Sequence, residues 1–179
     1  MKINRLESDF RPSLGEMFFL DTNVWLYLYY PHFSKNDQRL ADLYSAFFAK
    51  VASEPIQTNL VQMSELINAV IRAEYKVYQA QGNRISFKEY RECDHGKNAL
   101  GQAHTIVSNI LKSATLRSGV FTPDELKAMV MKCDKADFND IYFAHYCLRQ
   151  KLTLVTHDFD FNASDESIVV LSGNSRYFR

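Results

Sequence analysis

The sequence predicts an α/β domain: a central, mainly parallel sheet held between two layers of helices. Three observations predict it. Short apolar runs stop abruptly at polar residues, as buried strands do. Longer segments between them carry apolar residues at helical spacing. The two kinds of segment alternate along much of the chain. The 179 residues are enough for one such domain, and 46% hydrophobic with 23% charged residues is the balance of a folded globular chain.

Residues 17–20, Met-Phe-Phe-Leu, form the first expected strand, closed by the polar Asp21-Thr22-Asn23. A short apolar helix over 24–30 follows and stops at Pro31. Leu40, Leu43, Tyr44, Phe47, Phe48 and Val51 place a helix between 36 and 53, and 56–59 is a second, weaker strand. Residues 60–81 read as a long helix ended by Gly82-Asn83, the usual left-handed stop. Ser86 and Glu89 stand at capping-box spacing, so a helix starts there, and 98–117 is helical again. Thr122-Pro123-Asp124-Glu125 is a strong helix start, and Asp137 caps a further helix over 138–150. Strands are expected at 152–156 and 167–171. Residues 82–132 carry no strand signal and read as a helical insert. The whole of 1–179 is taken as a single domain with an N-terminal extension of about 1–15.

Only 6 Gly and 4 Pro exclude a collagen-like or low-complexity chain. Cys93, Cys133 and Cys147 are an odd number with no CxxC spacing, which points to reduced, mostly buried thiols rather than a disulfide framework or zinc site. Residues 1–16 mix both charges without an apolar core, and no stretch is long and apolar enough to cross a bilayer. A cytoplasmic protein with no membrane partner is expected.

In a parallel sheet the carboxyl ends of the strands share one edge, and ligands bind there. Asp21 follows the first strand; Asp158 follows the 152–156 strand, with Asp160 two residues on. Glu65 lies in the opening turns of the helix after the second strand, and Asp140 in the first turn of the helix capped by Asp137. Each alone reads as a cap or a loop acid. Together they bring four or five carboxylates to one cleft. Such a cluster repels itself and is relieved by a proton, a basic residue or a divalent cation. The segments themselves contain no Lys or Arg. Oxygen-only ligands suit Mg²⁺ or Mn²⁺, one or two ions, and two ions across a phosphodiester favour its hydrolysis.

At these residues the chain resembles the PIN domain, a family of metal-dependent nucleases common among bacterial toxins. Phe19-Leu20-Asp21-Thr22-Asn23-Val24 resembles the opening strand with the first acidic residue, and Ser64-Glu65-Leu66 the second acidic element. The run from Asp137 through Asn139, Asp140 and Ile141 to Ala144 resembles the third, with Asp140 at the acidic position. Leu152-Thr-Leu-Val-Thr156-His157-Asp158-Phe159-Asp160-Phe161 resembles the closing strand and fourth element. The likeness covers roughly residues 16–81 and 133–172. It implies a three-layer α/β/α sandwich and an Mg/Mn-dependent endoribonuclease acting on single-stranded or structured RNA. It also implies a homodimer and the toxin of a toxin–antitoxin pair, with an antitoxin protein as partner. Asp21, Glu65 and Asp140 would hold the principal metal. Asp158, preferred to Asp160, would help hold a second ion or orient water. Thr22, Asn23, Asp137, Thr156 and Asp160 would support them from behind.

Two competing enzyme classes fail on residues. A phosphatase using Asp21 as nucleophile lacks its second Asp, because Asn23 stands there, and no Gly-rich turn for a dinucleotide follows the first strand. A catalytically silent RNA- or protein-binding module is the alternative that stays open. His145 reads as a core or boundary residue, and His157, although it abuts Asp158, reads less as a phosphate contact than as an ordinary loop residue. The aromatic run 25–30 reads as core or partner-binding face. The balance of 21 basic against 21 acidic residues first argues against a nucleic-acid partner, but it is uneven along the chain. Residues 72–117 carry 8 Lys+Arg against 4 Asp+Glu, and 118–166 carry 5 against 9. Zero net charge is therefore an acidic pocket cancelling a basic arm. Arg72, Lys76, Arg84, Lys88, Arg91 and Lys97 of that arm are candidate phosphate contacts.

Overall fold

A computed structural model describes residues 1–7, 9–163 and 167–178. In chain order its elements are β1 (Lys2–Arg5), β2 (Phe18–Leu20), α1 (Thr22–Tyr29), α2 (Pro31–Asn36), α3 (Gln38–Lys50), β3 (Ile56–Thr58) and α4 (Leu60–Ala80). There follow α5 (Phe87–Glu92), α6 (Asp94–Ser113), β4 (Thr115–Leu116), α7 (Pro123–Val130), α8 (Phe138–Gln150), β5 (Thr153–Val155) and β6 (Val169–Ser172), with 3-10 turns at Asp160–Ala163 and Ser175–Phe178.

The strands make one sheet in the order β1-β6-β5-β2-β3-β4, and every neighbouring pair is parallel. Alternate residues of the central strands serve two separate cores, because successive side chains point to opposite faces. Phe18, Leu20, Val155 and Leu171 pack with Trp25, Tyr44, Phe47, Leu66 and Ile106 on the side of α1, α3, α4 and α6. Phe19, Leu154 and Val170 pack with Phe143, Tyr146 and Cys147 of α8 on the other. That makes the α/β/α sandwich of three layers. From β2 the chain steps to β3 and β4, then crosses to β5 on the far side of β2 and continues to β6. The crevice between the ends of β2 and β5 is thus the point where the winding reverses, the usual ligand position in such sheets.

Several expectations change. The stretch 82–132 is not strand-free: Thr115 and Leu116 form β4, paired with Gln57 and Thr58 at the sheet edge. Two residues at the end of a helical pattern are too few to show a period of two. Within that stretch α6 lies along α4 in the most extensive helix–helix contact among the described residues, and Ile106 and Ile110 enter the main core. α6 also starts earlier and ends earlier than expected, at Asp94 and Ser113. Residues 2–5 of the N-terminal extension are strand β1, in register with 169–172 of β6. Their Lys and Arg suit an edge strand. Pro31 ends α1 but also opens α2 as its first residue, where its missing N–H costs nothing. Of the three free cysteines only Cys147 is buried. No helix among the described residues is long and apolar enough to cross a membrane.

Candidate functional site

The register pairs Leu20 with Val155, so the next residues, Asp21 and Thr156, leave the sheet side by side. Asp21 is 5% exposed. It caps α1, its Oδ1 accepting the Thr22 N–H at 2.7 Å. Its Oδ2 accepts the Thr156 hydroxyl and the Asn23 side-chain amide, each at 2.7 Å. Asn23 in turn accepts the His157 N–H at 3.1 Å, so one Asx side chain ties α1 to the loop after β5. Thr22, Asn23 and Thr156 thus all hydrogen-bond Asp21.

Glu65 faces the same crevice from the second turn of α4. The Asn139 amide of α8 donates to its Oε2 at 3.3 Å, which joins the two helical layers at the sheet edge. Asp137 is exposed and caps α8 through the Asn139 N–H at 2.9 Å. Behind Glu65 lies Gln62, fully buried. Its amide donates to the Leu20 carbonyl at 2.6 Å and its oxygen accepts the Thr58 hydroxyl at 2.7 Å, fixing α4 to the ends of β2 and β3.

On the opposite side Asp158 and Asp160 are exposed. The Asp158 N–H donates to Thr156 Oγ1 at 2.9 Å, and the Asp160 N–H donates to Asp158 Oδ1 at 3.1 Å. Tyr44 Oη donates to the Thr156 carbonyl at 3.1 Å and lies 3.1 Å from His157 Nδ1. The His157 ring is turned to Tyr44 and Tyr27, and burial pushes its pKa down. Asn174 donates to the His157 carbonyl at 2.7 Å, and Tyr177 Oη to the Asp158 carbonyl at 2.6 Å.

Burial first, and the neighbouring acids second, shape the electrostatics. Burial pushes Asp21 up to about 7; the Thr156 hydroxyl pulls it back, and Glu65 and Asp158 push it further. Glu65 is pushed up to about 7 by burial and then by Asp140, and Asp140 to about 7 by burial and then by Asp21 and Asp158. The Tyr177 phenol is raised by burial and by the charges of Asp158, Asp21, Asp160 and Asp140. Asp158 is among the acids that raise Asp21, and both Asp158 and Asp160 are among those that raise Asp140.

The donors that could hold a cation are all carboxylate oxygens, the set suited to Mg²⁺ or Mn²⁺. A further sign is Thr22, whose buried hydroxyl has no hydrogen-bond partner among the described residues. It lies near enough to Glu65 to favour the charged carboxylate, but outside ordinary hydrogen-bond geometry. Against this, no three His, Cys, Asp or Glu side chains among the described residues converge closely enough to share an ion. The donor chemistry fits a hard divalent cation; the side chains are adjacent rather than already gathered.

The six basic residues lie elsewhere. Arg72 and Lys76 are on the second half of α4, Lys88 and Arg91 on α5, Lys97 on α6 and Arg84 in the connection between α4 and α5. The Arg72 guanidinium sits 4.9 Å over the Phe87 ring, and Lys97 pairs with Asp94 at 3.6 Å. Beside Glu65 itself opens a groove of ≈ 340 Å³ lined by Leu60, Val61, Ser64, Asn68 and Asn139. Trp25 and Tyr30 of the aromatic run are buried core, and His145 lies 3.8 Å from Glu125.

Gln62, Tyr44, Asn139, Asn174 and Tyr177 belong to the site and were not singled out from sequence. Gln62 had a signal, since it stands three residues after Asn59 at capping-box spacing within an apolar run. Tyr44 had none, being one aromatic among several on an amphipathic face.

No protein-family model matches the chain, and no curated protein matches it. Among solved structures, the crystal structure of PAE2754 from Pyrobaculum aerophilum aligns at 16% identity over 90% of this chain and 88% of that one, with a TM-score of 0.48.

Proposed function

We propose that the chain is a PIN-type endoribonuclease that uses Mg²⁺ or Mn²⁺, one or two ions, to hydrolyse RNA phosphodiester bonds. One observation carries this reading. Asp21, Glu65 and Asp140 come from three distant segments to one crevice, and each is pushed up to about 7 by burial and by other acids there. No Lys or Arg of the described residues is among the groups that act on them most strongly. Such an arrangement is costly to the fold and is relieved by a cation. Asp21, Glu65 and Asp140 would hold it, and Asp158 would help with a second ion or orient water. A bound divalent ion would supply Lewis-acid stabilisation of phosphoryl oxygens and a lowered pKa for water. Thr156, Asn23 and the Thr22 N–H keep the Asp21 carboxylate fixed, so its oxygens need little reorganisation. The toxin role, an antitoxin partner, a homodimer and a cytoplasmic location belong to the same reading.

A second reading, a catalytically silent RNA- or protein-binding module, is favoured by the lack of three converged ligands among the described residues. Cleavage separates the two. The purified protein is incubated with total RNA and Mn²⁺ or Mg²⁺, beside Asp21→Asn and Asp140→Asn variants. Cleavage by the wild type that vanishes in EDTA and in both variants is expected. Cleavage that persists in EDTA sinks the metal-dependent reading, and none by the wild type moves the weight to the silent module.

A further inference from the structure

An acidic crevice repels the phosphates of the strand it is meant to cut, so a cation must stand at its rim. None of the segments bearing the acids supplies one. The turn Ser175–Phe178 does. Two side chains anchor it to the loop that carries Asp158: Asn174 donates to the His157 carbonyl at 2.7 Å, and Tyr177 Oη to the Asp158 carbonyl at 2.6 Å. The Tyr177 ring also meets Phe159, centroids 5.0 Å apart. Arg176 lies between these two anchors. Its N–H is capped by Asn174 Oδ1 at 3.0 Å, and its guanidinium lies 4.3 Å over the Phe159 ring. The side chain is exposed, and no carboxylate pairs with it among the described residues.

We infer that Arg176 is the phosphate anchor of the site, binding a backbone phosphate of a single-stranded RNA beside the one presented to the carboxylates. The inference rests on the endoribonuclease reading for the identity of the strand. The chemistry is that of a planar guanidinium whose ring contact holds one face, leaving its N–H edge for an anion. The six residues of the basic arm are poorer candidates: Lys97 already pairs with Asp94, and all six lie on α4, α5, α6 or the connection between α4 and α5, whereas Arg176 stacks on the residue next to Asp158.

The test is fluorescence anisotropy of a labelled single-stranded RNA in EDTA, where nothing is cut, across a range of KCl. Wild type is compared with Arg176→Gln, Arg176→Lys and the double variant Lys88→Gln/Arg91→Gln, with thermal melts as a check on folding. Arg176→Gln is expected to bind roughly five- to tenfold more weakly at low salt, with a salt slope lower by about 0.7. Arg176→Lys should keep the slope, and the double variant should resemble wild type. Arg176→Gln binding with wild-type affinity and slope overturns the inference, as does a wild type that does not bind the strand. Binding that follows the expected pattern without cleavage in Mn²⁺ upholds the anchor and removes the nuclease reading.

Discussion

Thr156 and Asp21 are 135 residues apart in the chain, yet the Thr156 hydroxyl donates to Asp21 Oδ2 at 2.7 Å. The contact follows from register. Leu20 and Val155 pair in adjacent parallel strands, so the residue after each emerges at the same point of the sheet edge. The same Thr156 oxygen accepts the Asp158 N–H at 2.9 Å. One hydroxyl therefore sets the position of the first acid and of the loop bearing the fourth.

Thr156→Val removes a buried hydrogen bond to a carboxylate and leaves the Asp158 N–H without its acceptor. A loss of about 1–3 kcal/mol in folding stability is expected, with Thr156→Ser close to wild type. Urea unfolding checks it, as a lower midpoint at unchanged slope.

Gln62 is the buried clamp between α4 and the ends of β2 and β3. Gln62→Leu keeps the volume roughly but strands the Leu20 carbonyl and the Thr58 hydroxyl, at a cost of about 1–3 kcal/mol. The same unfolding measurement reads it. A neutral outcome would mean that both groups find other partners.

What could be read from the sequence divides along physical lines. Asp137 as the cap of α8, Gly82 at positive φ after α4 and both capping boxes were legible because caps are local chemistry. Asp21, Glu65, Asp140 and Asp158 were legible as a group because a parallel sheet sends its strand ends to one edge. β1 and β4 were not, being two to four residues long at the sheet margins, where no apolar run is needed. Tyr177 and Asn174 were hidden for a different reason. Their role depends on where a turn after β6 lands, and nothing in their neighbours' spacing encodes that. The placement of the basic residues on α4, α5 and α6, away from Asp158, likewise needed the packing of α6 along α4.

Gly96 tests how α6 packs on α5. A methyl group there would collide with the backbone carbonyl of Tyr90, because α6 begins against the end of α5. Gly96→Ala is expected to destabilise by about 1–3 kcal/mol, while Gly101→Ala, with open space around it, should be neutral or slightly stabilising. Equal thermal melts for the two variants would contradict the α5–α6 corner.

The acids also set a pH dependence. Asp21, Glu65 and Asp140 titrate near 7 in the fold, against ordinary values of 3.8 and 4.5. Between those limits the folded state holds more protons than the unfolded one. The stability this provides is complete below about 4 and is lost as the pH rises through about 7. His157, whose pKa is lowered by burial, acts in the opposite sense over the upper part of the window. The metal-free protein should therefore melt lower at pH 8 than at pH 5. Asp140→Asn should raise the pH 8 value and leave that at pH 5 almost unchanged. A metal-free melting temperature that climbs from pH 5 to pH 8 would sink this assignment.

The central claim is that Asp21, Glu65 and Asp140 form one divalent-cation site, and calorimetric titration of the metal-free protein with Mn²⁺ at pH 8 tests it most directly. The expected result is saturable binding by the wild type that weakens at least about tenfold in each of Asp21→Asn, Glu65→Gln and Asp140→Asn. Wild-type protein that takes up no Mn²⁺, or three variants that bind it as well as wild type does, would contradict the account.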